Sequence, residues 1–225
     1  RSGPAVKEKL LSLLCALLAA LTVLTGAVAV PILCRPFYYA HVDGYHLTDY
    51  GLTREEIHTA YDEMMDYCTG QREDFSAGAL PFSPSGASHF ADVRGLFLLD
   101  LRLFFLCLPL LVLLLGGCRW KKLVLHRFRG RGPGFWAAAG LGGAFAAVGL
   151  LAALDFDRAF VVFHHLFFPG KENWIFDYRT DPIILLLPQD FFRNCALLIL
   201  GLLLAWCAVL IAADFRMGRT EQKDS

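Results

Sequence analysis

The sequence predicts an all-α membrane protein: four transmembrane helices, both termini cytoplasmic, and an external cap formed by two loops with room for short helical or strand structure. Three observations carry this reading. Hydrophobic residues make up 56% of the 225 and charged residues only 19%, too few charges to cover a soluble domain of that size. The apolar residues gather in four stretches of about 20, the length that crosses a bilayer. The basic residues gather in the segments on one side of those stretches. The formal net charge is zero, with 21 Lys and Arg against 21 Asp and Glu, so no basic excess exists for holding nucleic acid. The apolar content also excludes a disordered chain.

The first span is 10–32, uncharged between Lys9 and Arg35. Its apolar run is longer than the core of a secretory signal peptide and no small-residue cleavage site clearly closes it, so an anchoring helix is expected. The chain opens on Arg1 rather than methionine, which leaves a processed or added start open. The second span, 95–118, carries Asp100 and Arg102 in its opening turns and is uncharged from Leu103 onward. Charges in a span are costly and suggest function by default, although both sit near enough to the outer end to reach the interface. The third span, 132–154, places Ala137, Gly140, Gly143 and Ala147 at a spacing that suits close helix contact in lipid. The fourth is 194–213. All four are expected to be helical, because a backbone polar group in lipid has no water to bind.

Orientation follows from Lys and Arg in the short loops. Arg119, Lys121, Lys122, Arg127, Arg129 and Arg131 stand between spans two and three with no acid among them. The tails add Arg1, Lys7 and Lys9 at one end and Arg216, Arg219 and Lys223 at the other. These segments share one side of a four-span bundle, expected to be cytoplasmic, and hold 12 basic and 4 acidic residues. The segments 33–94 and 155–193 are then external, with 8 basic and 16 acidic residues. No tandem repeat, low-complexity tract or heptad array interrupts this plan. In the first external segment, Thr53 with Glu56 three residues on forms a capping-box pattern. It opens an amphipathic helix through about Thr69, with Ile57, Tyr61, Met64, Met65 and Cys68 at helical spacing. A Pro/Ser/Gly stretch, 81–86, reads as a loop before the second span.

Six of the seven histidines are external: His41, His46, His58, His89, His164 and His165. An imidazole is the side chain most readily set to gain or lose a proton near neutral pH. His89 lies where the second helix is expected to begin, and the positive end of a helix disfavours the imidazolium. Asp92, three residues on, pulls the other way and can orient the ring. An interfacial histidine that merely caps a helix fits the spacing equally well. His164 has Phe160, Phe167 and Phe168 at helical spacing, an aromatic wall that would desolvate it as a tuned base requires. The same pattern also describes an aromatic interface belt or an acyl-chain pocket. Farther on, Asp181-Pro182 signals a turn, and Arg179 and Asp181 read first as solvated loop charges.

The histidines can also be weighed as metal or haem ligands, but no HExxH or CxxC pair accompanies them. Of the seven cysteines only Cys34, Cys68 and Cys195 lie outside the spans and their cytoplasmic edge. One external disulfide, using Cys34 or Cys68, fits better than a framework. No G-x-S-x-G elbow, P-loop or dinucleotide fingerprint is present, which takes most of the weight from an acyl-serine hydrolase or a nucleotide enzyme.

Six strings together resemble the lipoprotein intramolecular transacylase (Lit) family. They are Tyr-Gly-Leu-Thr-Arg-Glu-Glu at 50–56, Met-Met-Asp-Tyr at 64–67, His-Phe-Ala-Asp-Val at 89–93, Phe-His-His-Leu-Phe-Phe at 163–168, Trp-Ile-Phe-Asp-Tyr-Arg-Thr-Asp-Pro at 174–182, and Leu-Pro-Gln-Asp-Phe-Phe at 187–192. The resemblance implies an enzyme of the bacterial cytoplasmic membrane, without a cofactor, working at the outer face. Its partners would be membrane lipid and a diacylated lipoprotein exposing its N-terminal Cys. The sn-2 acyl chain would move to the α-amine of that residue, leaving the lyso form. The catalytic pair it implies is His89 and His164; the residues themselves add His165, Asp92 and Asp181 as supporting candidates, and Arg94, Tyr50 and Arg179 as donors to the oxyanion such a reaction forms. The sequence departs from the family pattern at His165, where an acid is usual, and at Tyr178, where proline is usual. Two other classes stay open on the residues alone: a metal- or haem-binding membrane protein, and a non-enzymatic four-span assembly partner. A transporter is weaker, for want of paired interrupted helices.

Overall fold

A computed structural model describes residues 6–223, with side chains through Met217. Arg1 and the side chains of Arg219 and Lys223, which enter the charge reading, lie outside the described residues. The chain is helical nearly throughout: α1 (Val6–Leu33), α2 (Arg35–Tyr39), α3 (Arg54–Cys68), α4 (Pro84–Trp120), α5 (Pro133–Leu154), α6 (Phe156–Phe167) and α7 (Gln189–Lys223), with 3-10 turns at Leu47–Tyr50 and Pro182–Leu186. Among the described residues, β pairing is limited to isolated bridges. Four helices are long and apolar enough to cross a membrane: α1, α4, α5 and α7 as far as Met217. The protein is an all-α, multi-pass membrane protein.

The contacts divide the chain into two compact units. The first comprises Arg1–Val28, Leu101–Leu150 and Ile199–Ser225. Its core is built on Ala27, Ala138, Leu203 and Cys207, with Phe145 and Leu141 packed against them. The small residues of α5 do bring helices close, but not through the predicted set. A Cβ on Gly142 would stand 3.3 Å from that of Cys207, and one on Gly149 would stand 2.5 Å from Leu200 Cδ2, whereas Gly140 and Gly143 meet nothing within 4 Å. The contact face therefore runs through Ala138, Gly142, Phe145 and Gly149, one to two residues on from the expected positions, of which Ala137 is also buried. In the same unit, Asp214 of α7 is buried and accepts the Gly132 N–H at 2.8 Å, fixing the chain just ahead of α5. Arg127 and Arg131 reach the same carboxylate at 3.2 and 3.5 Å.

The second unit comprises Ala29–Asp100 and Leu151–Leu198. The predicted helix is α3, and Thr53 closes the capping box with Glu56 on both sides. The apolar face of α3 is buried as its spacing requires, from Ile57 to Cys68. Tyr61 on that face stacks on Tyr38 at 3.6 Å, and the Tyr38 hydroxyl donates to the Leu186 carbonyl in the second 3-10 turn. Arg35 reaches Asp62 and Asp66 of α3 at 3.2 and 2.9 Å. Glu63 holds the following loop by accepting from Ser76 and the Gly78 N–H. Gly78 has φ +63°, and a Cβ there would press on the Ala60 backbone at 3.2 Å, so glycine is required. All seven cysteines are free, Cys68 buried and Cys34 exposed. The one external disulfide that the sequence leaves open is therefore not formed.

The start of α4 differs from the sequence reading. Residues 84–86 are its first turn, not a loop: Ser83 accepts the Gly86 N–H on its hydroxyl at 3.0 Å and the Ala87 N–H on its carbonyl. Pro84 follows at the first helical position, where a missing N–H costs nothing.

Candidate active site

His89 projects from the second turn of α4, ahead of the apolar stretch that begins near Gly95. His164 projects from the last turn of α6. Both side chains are buried, and their rings lie 6.0 Å apart between centroids. Asp155 caps α6 by accepting the Arg158 N–H at 2.9 Å, and Phe168 closes it through its N–H to the His164 carbonyl.

The segment after α6 completes the walls. Trp174 stacks on His164 at 4.6 Å, with Phe160 on another side at 4.2 Å. Phe168 stands 5.0 Å from His89 and 5.7 Å from His164, touching both. Phe176 packs against His89 at 5.4 Å. Two members of the wall expected from spacing, Phe160 and Phe168, are present. Phe167 instead turns to Phe163. Trp174 and Phe176 come from a loop, so helical spacing does not reveal them; their only trace in the sequence is the Trp-Ile-Phe-Asp-Tyr string.

Asp181 holds this loop in place. It is 3% exposed, which corrects its reading as a solvated charge. Its Oδ1 accepts the Ser83 N–H at 2.7 Å and its Oδ2 the Thr180 hydroxyl at 2.7 Å. A carboxylate at the N-terminal end of α4 meets unpaired N–H groups and the positive end of the helix dipole. Gly86 makes the approach feasible, since a Cβ there would lie 2.1 Å from Asp181 Oδ1.

The electrostatics keep both rings neutral. Burial lowers His89 to about 4, the neighbouring His164 pushing the same way and Asp92 opposing. Burial also lowers His164, against the support of the Phe160 carbonyl. That carbonyl lies 2.7 Å from His164 Nδ1 and can only accept, so Nδ1 carries the hydrogen and Nε2 keeps its lone pair. His89 Nδ1 is buried without a hydrogen-bond partner, an orphan that a substrate group can satisfy.

The other candidates make no hydrogen bond to either ring. His165 is exposed and meets the edge of Trp174, 5.7 Å away. Asp92 does not hydrogen-bond His89; it pairs with Lys171 and accepts from Asn173 at 3.1 Å. Arg94 donates to the Arg72 and Glu73 carbonyls and lies over Tyr67, partners that include neither histidine. Tyr50 and Arg179 are exposed, Arg179 lying over Tyr178. Arg102 is exposed, while Asp100 Oδ2 is buried with no hydrogen-bond partner. Of the remaining histidines, His41 bonds Phe37 and Asn194, and His58 stacks on Tyr39. Among the described residues, no three His, Cys, Asp or Glu side chains converge as metal ligands do.

Fold and site together define a class: a multi-pass membrane protein with a desolvated histidine pair in an aromatic pocket. The family model of the lipoprotein intramolecular transacylase Lit matches residues 13–192, and the chain belongs to that family of acyl-transferring enzymes. The fold is similar to the solved structure of the membrane integral lipoprotein intramolecular transacylase Lit from Bacillus cereus, with a TM-score of 0.84 and 24% identity over 97% of this chain and 99% of that one. Two variants of the Bacillus cereus protein, with one histidine replaced by arginine or alanine, match with TM-scores of 0.78 and 0.77. Their identities are 22% and 23%, over 97% of this chain and 95% and 96% of theirs. No curated protein matches the chain.

Proposed function

We propose that this protein moves the sn-2 acyl chain of a diacylglyceryl lipoprotein to the α-amine of its N-terminal Cys, at the outer face of the bacterial membrane, with His89 and His164 handling the protons. The observation that carries the reading is the pair itself: two buried, neutral rings 6.0 Å apart, one with its free nitrogen defined by a backbone bond. The run of Lys and Arg in the short loop 119–131, on the side opposite the segments that hold the pair, supports the outer face by the positive-inside rule.

The substrate's ammonium brings the proton that the resting site lacks. It passes one proton to His89, and the freed amine attacks the ester carbonyl. The N–C bond forms, His164 Nε2 takes the second proton from the tetrahedral adduct, and the C–O bond to the glyceryl oxygen breaks. His89 returns its proton to that oxygen, and His164 releases the other to water. The products are an amide, a hydroxyl and one proton. Nucleophile and ester sit on one molecule, so holding them in attack geometry supplies much of the acceleration. No acyl-enzyme is needed, in keeping with a sequence that lacks a serine elbow.

The test is mass spectrometry of a reporter lipoprotein's N-terminal peptide. His89→Ala and His164→Ala are each expected to cut lyso-form production by about 100-fold or more, the usual worth of an acid–base group. His165→Ala should stay near wild type. Undiminished product in both alanine variants would sink the proposal.

A further inference from the structure

A groove of about 320 Å³ opens between Asp92 and Leu96 of α4 and the segment Phe167–Lys171, with Phe168 rather than either histidine in its wall. Its walls are apolar, Leu96, Phe168 and Pro169 among them, and its charge is confined to Asp92 and Lys171. Asp92 lies three residues after His89, so the two share a face of α4. Phe168 lines the groove and also packs on both histidines. A group bound at Asp92 is thus one side chain away from the reacting pair.

We infer that Asp92 is the seat for the α-ammonium of the lipoprotein's N-terminal residue, and that Lys171 Nζ fills that seat while no substrate is bound. The inference rests on the acyl-transfer reading above. The carboxylate is prepared for a cation: Asn173 holds Oδ2 at 3.1 Å, and Oδ1 takes the Lys171 ammonium. The Lys171 side chain is 48% exposed and that of Asp92 only 22%. The lysine can therefore swing into water while the acid stays, and an exposed ion pair resists exchange weakly. One primary ammonium replaces another, with the same charge and the same three donors. The apolar walls receive the alkyl chains beside it. An anion on Lys171 fits less well, because the fixed, less exposed member of the pair is the acid. Asp92 is in this view a positioning residue that delivers the nitrogen to His89.

The probe is a lipopeptide whose two alkyl chains are ether-linked, so that nothing can transfer, with its N-terminus either free or acetylated. Binding to the purified protein in detergent at pH 7 should favour the free amine by about tenfold, a typical worth of a charge-assisted contact. Asp92→Asn should erase most of that preference without shifting the melting temperature, and should raise KM for the ester-linked lipopeptide more than it lowers kcat. Lys171→Gln should preserve or increase the preference. Equal binding of the two probes by the wild type, or an undiminished preference in Asp92→Asn, would overturn the inference. The wild-type comparison needs no variant to fold. Absence of lyso product from the ester-linked lipopeptide, with the ammonium preference intact, would sink the reaction and leave the ammonium seat standing.

Discussion

The rings of His89 and His164 face one another at 6.0 Å with an inclination of 30°, although they arise from different helices. Neither ring is held by a carboxylate. What holds them is aromatic packing, one backbone carbonyl, and a loop latched to the start of α4.

The pH response should be shifted to the acid side. Burial lowers His89 to about 4 and brings His164 below its usual 6.5. Both are neutral at pH 7, and the acid limb of kcat at saturating lipopeptide should lie below 6.5. The same shifts act on stability. The unfolded chain takes up protons near pH 6.5 while the native rings do not, so stability falls as pH drops from about 6.5 toward about 4. His89 contributes a slope of up to about 1.4 kcal/mol per pH unit across that window, and His164 acts in the same direction. Melting curves across that window should flatten in His89→Leu; an unchanged slope in that variant contradicts the burial account.

The latch should be sensitive to one methyl group. Gly86→Ala places a Cβ 2.1 Å from Asp181 Oδ1, and the carboxylate must leave the Ser83 N–H. Asp181→Ala removes the same contact from the other side. Each change should cost about 1–3 kcal/mol of stability, as a broken buried hydrogen bond does, and should lower turnover because Trp174 and Phe176 lose their support. Gly143→Ala, which meets nothing within 4 Å, is the control. Thermal unfolding in detergent with a turnover assay checks all three.

Asp214 offers the complementary case. Asp214→Ala strands the Gly132 N–H and leaves Arg127 and Arg131 without their shared carboxylate. The arginines are partly exposed, so the loss should be about 1–3 kcal/mol rather than the larger cost of a fully buried pair. Melting temperature should fall while turnover per folded molecule holds, since the histidines belong to the other compact unit. A selective loss of turnover at constant melting temperature would contradict this.

Much of the fold was legible because its rules are local. Twenty apolar residues in a row have few alternatives, and the Thr53–Glu56 box announces α3 within four residues. His164 and Phe160 were legible for the same reason, standing one turn apart. The misreadings concern contacts made across the chain. Asp181 reads as solvated because the backbone N–H that buries it, that of Ser83, lies 98 residues earlier. The 81–86 stretch looked like a loop because its Pro and Gly are also turn residues, although Ser-Pro equally describes a helix cap and first turn. The small residues of α5 offered two faces, and only packing against Cys207 and Leu200 decides between them.

The bond from His164 Nδ1 to the Phe160 carbonyl spans a single turn of α6. The choice of proton-accepting nitrogen is therefore made by the helix that bears the ring, with no contribution from a distant acid. Substitutions in the surrounding loops can reshape what reaches the ring without resetting which of its nitrogens is basic. The chemistry and the choice of substrate can thus vary independently, the first carried by four consecutive peptide units and the second by everything that closes over them.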